Sequence, residues 1–211
     1  VPASRTRSER DRTRNRFVRF CRDAAQHDDR VVKKLGACPV RAGKIGGMNA
    51  PEPDLRWHAC GFRELDTHTL YALLKLRAEA FVVEQQCVYL DPDGKDAHPD
   101  TVHVMATAGD GVLAAYLRIL PAGLSYPQVS FGRVLTAPAW RGRGLGDPLV
   151  RVALAQIEAR WPGADVQIGA QAHLQHFYGR HGFVPSSDPY LDDGIPHVDM
   201  LRRAQPQGTQ A

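Results

Sequence analysis

The sequence predicts an α+β fold, a mixed and mostly antiparallel sheet with helices packed on its faces. Strand-like and helical stretches alternate in the order β-α-β-β-β-α-β-α-β-β, which suits helices laid on a sheet better than separate layers of each. Gly109-Asp110-Gly111 separates two apolar runs and reads as a hairpin turn. A third apolar run, Val129 to Thr136, leads through Arg141-Gly142-Arg143-Gly144-Leu145-Gly146 into an amphipathic helix.

Taken in order, regular structure begins with a strand over Leu55 to Leu65. Asp66 or Thr67 then caps a helix running to about Val83, whose face carries Leu70, Leu73, Leu74, Arg77 and Phe81 at helical spacing. Glu84 to Asp100 is a polar loop. Val102 to Ala108 and Val112 to Leu120 are the strands of the hairpin, and Val129 to Thr136 is the next strand. The long helix carries Val150, Ala153, Leu154, Ile157 and Trp161 on one face and ends near Trp161-Pro162-Gly163. Asp165 to Gly169 is a short strand, Ala172 to Arg180 a short helix, and Phe183 to Val184 with His197 to Leu201 close the sheet. No internal repeat is visible.

The chain has 211 residues and a formal charge of +4, unevenly spread. Residues 1–47 carry a net +8, and the remainder a net −4. The basic stretch is poor in apolar residues and predicts a disordered leader, with Met48 as the expected natural start. The domain is expected over 48–204, with a flexible tail at 205–211. No folded reader accompanies the basic charge, so nucleic acid is not the expected partner. No apolar run reaches the roughly 18 residues that a membrane span requires. Cys21, Cys38, Cys60 and Cys87 form no C-x-x-C pair and read as reduced thiols of a cytoplasmic chain.

The chemistry concentrates in residues 141–146. A strand, a glycine-rich turn and a helix N-terminus together make an anion site, because glycines let successive N–H groups converge where the helix dipole favours negative charge. Arg141 and Arg143 point to phosphate. Leu145-Gly146-Asp147 lacks the Lys-Ser/Thr of a P-loop, and glycines spaced by twos do not match the dinucleotide fingerprint.

With Arg141, Gly144 and Gly146 on its three defining positions, the stretch resembles the Arg/Gln-x-x-Gly-x-Gly/Ala loop of the GNAT acyltransferases. Phe177-Tyr178 followed by Gly182-Phe183 is similar to a second signature of that family. The span from about Leu55 to Arg202 resembles its ElaA-like branch. The matching stretches are residues 73–85, Asp93-Gly94-Lys95-Asp96-Ala97-His98-Pro99-Asp100, Gly169-Ala170-Gln171-Ala172-His173-Leu174 and Asp192-Asp193-Gly194-Ile195-Pro196-His197. The resemblance implies a GNAT-like sheet flanked by helices and an acetyl-CoA site. In that site Val134, Leu135 and Thr136 would meet the pantetheine arm, and Arg141, Gly142, Arg143, Gly144, Leu145 and Gly146 the pyrophosphate. Asp147 departs from the pattern, since many members carry a basic residue there.

Tyr178 is the expected catalytic residue: a phenol protonated at neutral pH can give a proton to a departing thiolate. The alternative is an ordinary packing residue. Glu84, Asp96, His103 and His197 are candidate substrate contacts. Glu79, Glu84, Asp93 and Asp96 form either an anionic wall for an ammonium group or a solvated loop cap. His103, His173, His197 and Glu84 are the general-base candidates. Asp91-Pro92-Asp93-Gly94-Lys95-Asp96 lacks the acids of a calcium loop, and no metal is expected. The expected function is transfer of an acetyl group from acetyl-CoA to a small-molecule or peptide amine by direct attack, in a monomer or homodimer. The alternative is a non-catalytic acyl-CoA-binding regulatory protein of the same fold.

Overall fold

The computed structural model describes residues 55–109 and 111–204. The leader 1–47, residues 48–54 and the tail 205–211 lie outside the described residues. The described strands form one sheet with the order β1-β2-β3-β4-β5-β8-β6, and β7 pairs with β8. They span Arg56–Cys60 (β1), Val102–Thr107 (β2), Leu113–Leu120 (β3), Val129–Thr136 (β4), Val166–Gln171 (β5), Val184–Pro185 (β6), Tyr190–Asp192 (β7) and Ile195–Arg202 (β8). All described pairings are antiparallel except β4 with β5.

Helix α1, Thr67–Arg77, starts where expected. Asp66 accepts hydrogen bonds from the N–H groups of His68 and Thr69, satisfying two of the donors that a helix start leaves open. From Ala78 to Glu84 the same rod continues as a π-helix, which the periodicity did not anticipate. The first strand is shorter than predicted. Gly61 opens a 3-10 turn whose N–H is held by the Glu64 carboxylate at 2.7 Å. Helix α2, Gly146–Arg160, buries Leu149, Val150, Ala153 and Ile157, and the short α3 spans Gln175–Gly179.

Two cores sandwich the sheet. Helices α2 and α3 cover one face with Val104, Leu117, Phe131, Ile168, Phe183 and Met200 among the buried residues. Helix α1 covers the other, over Met105, Tyr116 and Leu135. A bulge in β4 makes this exchange of faces possible. Tyr116 pairs with Leu135 and Arg118 with Gly132, so two residues of β4 stand opposite Leu117. Arg133, at the bulge, takes φ +54°. As a result Phe131 belongs to the α2 side and Leu135 to the α1 side, although the unbroken alternation of a strand would put both on one face.

The β7–β8 hairpin was not predicted. Asp193 and Gly194 make its two-residue turn with φ +48° and +79°, the left-handed pair that a type I′ turn demands.

Candidate active site: a splayed strand and a glycine loop

Strands β4 and β5 run parallel and then part. Val129 pairs with Val166 and Ser130 with Gln167, and no later residue of β4 pairs with β5. From Phe131 to Thr136 one edge of β4 therefore has no strand partner among the described residues, as a backbone clamp for an extended ligand requires. Val134 and Leu135 turn their side chains into the two cores, and Thr136 is half-buried. What these residues offer a ligand is main chain.

The glycine loop closes the open end of this splay. Gly142 and Gly144 hold φ +73° and +74°, and a Cβ built on either meets no atom within 4 Å. Glycine is needed there for backbone conformation, not for space. Gly146 is different. A Cβ on it would lie 3.3 Å from the Phe177 ring, so this glycine lets α3 pack against the start of α2. Leu145 is buried and anchors the loop in the core. Among the described residues no side chain caps the α2 N-terminus, and helix-start donors of that kind suit an anion.

Both loop arginines have partners. Arg141 gives two parallel bonds to Glu84, at 2.6 and 2.7 Å, and Arg143 lies over the Trp140 ring at 4.8 Å. Asp147 lies 3.0 Å from Arg151 and 3.3 Å from the His181 ring, so its charge is turned toward an arginine and an imidazole of this chain.

A family model described as an acetyltransferase (GNAT) domain matches residues 94–203. The chain belongs to the GNAT acetyltransferase family. It is 43% identical to the Escherichia coli protein ElaA over 148 residues, covering 70% of this chain and 96% of that one. It is 41% identical to a UPF0039 protein of Synechocystis, covering 74% and 99%. Among solved structures, it is similar to an acyl-CoA N-acyltransferase from Pseudomonas aeruginosa, with 48% identity and a TM-score of 0.67 over 71% of this chain and 99% of that one.

Tyr178 of this GNAT domain lies on α3, next to the Phe177 that covers Gly146. The rings of Phe131, Phe177 and Phe183 surround it at 4.9–6.2 Å between centroids. Burial pushes its phenol up to about 12. It is a firmly protonated donor in an apolar wall.

Of the two readings of the loop acids, the anionic wall is dissolved by the structure into ion pairs. Asp96 is buried, and its Oδ1 accepts bonds from Arg77 at 2.7 Å and Arg118 at 2.9 Å. Arg118 also grips Asp93 with two bonds of 2.7 Å, while Asp91 takes Arg77 and Arg133 at 2.8 Å each. Three acids and three arginines thus neutralise one another and pin the 85–100 loop onto α1, β3 and β4. Asp96 is a structural residue here, as is His103. The His103 ring is buried, bonded to the Tyr116 hydroxyl at 2.8 Å and the Asp96 carbonyl at 3.1 Å, and its pKa is lowered by desolvation. Neither side chain is open to a substrate. Glu79 is exposed and pairs with Lys75, and His173 is exposed on the turn before α3.

His197 stays accessible on β8. It stacks on Tyr190 with centroids 6.2 Å apart. Around it lies a cluster that the sequence reading missed: Asp199 with Tyr126 and Tyr190. No cluster of three or more His, Cys, Asp or Glu suited to a metal occurs among the described residues. No helix among them is long and apolar enough to cross a membrane.

Proposed function

We propose that this GNAT protein transfers an acetyl group from acetyl-CoA to a primary amine by direct attack of the amine on the thioester. The observation that carries this reading is the splay of β4 from β5, ending in a loop that combines left-handed glycines, two arginines and an uncapped helix start. The residues present suit acyl-CoA. The free edge of Phe131–Thr136 would receive the pantetheine amides, and Arg141, Gly142, Arg143 and Gly144 the pyrophosphate. Gly146 and Leu145 would act by shaping the loop. Acyl-CoA supplies the activated carbonyl and a thiol leaving group.

A backbone N–H of β4 near Leu135 would polarise that carbonyl. The amine nitrogen forms its bond to carbon, the C–S bond breaks, and the departing sulfur, hydrogen-bonded by Tyr178, ends as a thiol carrying the proton that the amine loses. That phenol, at about 12, lies roughly three units above an ordinary thiol near 8.5. Tyr178 therefore serves best as a hydrogen-bond donor to the developing thiolate. The free thiols of Cys60 and Cys87 support a cytoplasmic setting.

The test is thiol release from acetyl-CoA across a panel of amines and peptides, run beside propionyl-CoA and longer thioesters. Amine-dependent release that is fastest with acetyl-CoA is expected. Tight binding of acetyl-CoA with no turnover on any amine would overturn the assignment in favour of a binding protein.

A further inference from the structure

On the α1-side face of the sheet, one carboxylate is treated unlike the others. Asp199 is half-buried, and among the described residues it is the carboxylate short of full exposure that has no cationic partner. Neutral donors hold it instead. Tyr126 and Tyr190 each donate a hydroxyl to Oδ1, at 3.1 and 2.9 Å, and Oδ2 receives one long bond from Gln167 at 3.4 Å. Oδ2 keeps acceptor capacity. A partly desolvated charge fixed by neutral donors alone favours a cation beside it.

The surroundings are built for this arrangement. Tyr126 reaches Asp199 from the loop between β3 and β4, across a separation of 73 residues. Gly169, paired with Asp199 across β5 and β8, makes room: a Cβ there would lie 2.9 Å from the Tyr126 hydroxyl and 3.2 Å from that of Tyr190. Burial and Asp199 push the Tyr190 phenol up to about 12, so it remains a donor. Tyr190 is 39% exposed, which leaves the cluster open to solvent.

Its position matters as much as its chemistry. Gly169 lies two residues past Gln167, the last residue of β5 that pairs with β4. Asp199 therefore stands on the splayed side of the sheet, toward the end where β4 runs into the glycine loop.

We propose that Asp199, framed by Tyr126 and Tyr190 over Gly169, is the acceptor-recognition site and takes the ammonium group of the amine substrate. This assignment rests on the reading of the chain as an N-acyltransferase. It also moves amine recognition from the Asp93–Asp96 loop, where arginines have consumed the charge, to β8.

The test titrates butylammonium, with 1-butanol as the neutral probe of equal length, and follows the tyrosine ring resonances by NMR. Saturable shifts of Tyr126 and Tyr190 with butylammonium but not butanol are expected. Asp199→Asn, which keeps an acceptor for both phenols, should weaken butylammonium at least fivefold while acetyl-CoA affinity and melting temperature hold. No saturable shift in the native protein, or equal affinity in Asp199→Asn, would overturn the proposal. If amines are acetylated and Asp199→Asn binds butylammonium normally, this site fails and the acyltransferase reading stands. If the shifts behave as expected but no amine releases thiol, the site stands and the reaction fails.

Discussion

Glu84 holds Arg141 by both carboxylate oxygens, at 2.6 and 2.7 Å, so the first arginine of the glycine loop is already engaged by an acid from the end of the π-helix. The Arg141 Nε bonds the Thr136 carbonyl at 3.3 Å. A pyrophosphate reaching this arginine must share it with Glu84 or displace it. The pair is exposed, so its effect on folding is small. Glu84→Gln removes the competing charge and is expected to tighten acetyl-CoA about two- to fivefold, with no change in melting temperature. Weaker binding in calorimetry would show instead that Glu84 positions the arginine for its ligand.

Gly144 tests the loop itself. Its φ of +74° strains any residue with a Cβ, above all a branched one, although space around it is open. Gly144→Val should therefore refold the loop locally, keep the cooperative melt and lower acetyl-CoA affinity by at least tenfold. Calorimetry with unchanged affinity would place the phosphates elsewhere.

Tyr178→Phe keeps the ring among Phe131, Phe177 and Phe183 and removes the donor. A preorganised hydrogen-bond donor to developing charge contributes about 10²–10³-fold in rate. Turnover should fall on that order with acetyl-CoA affinity nearly unchanged, and most steeply for thioesters of poorly leaving thiols. Wild-type turnover, with chemistry rate-limiting, would leave Tyr178 as a packing residue.

The buried network predicts a large stability effect. Asp96→Asn leaves Arg77, which is fully buried, and Arg118 short of a charge that both contact directly. Breaking a buried ion pair on one side costs about 3–5 kcal/mol. Urea unfolding should show a loss of that size. A change within the error of the measurement would mean that the arginines find other partners or water.

The same network sets an acid limit. Burial pushes the Asp93 carboxyl up, but the two bonds from Arg118 outweigh it and hold the group at about 2. In the unfolded chain it titrates near 3.9. The folded state thus binds this proton less readily, and the stability it contributes is present above about pH 4 and lost as the pH falls toward 2. Melting temperature should drop through that window, and Asp93→Asn should flatten the drop.

What is local can be read in the residues alone. The cap at Asp66, the bounds of β4, the face of α2 and the glycine loop are written in periodicities and residue types a few positions apart, which is the range over which backbone preference acts. The Asp193-Gly194 turn is equally local, since Asp-Gly between short runs is a hairpin signal. Tertiary structure alone decided the rest. Arg77 looks like an interruption of an apolar face until Asp91 and Asp96 arrive from a loop more than a dozen residues later. Asp96 and His103 resemble site residues by chemistry, yet burial and arginine neighbours make them structural. The bulge at Arg133 and the parting of β4 from β5 follow from two packed faces that one alternating strand cannot serve. Asp199 and Tyr126 meet only because four strands lie side by side, and a contact of that kind has no signature in either segment, since its energy exists only once the chain has folded.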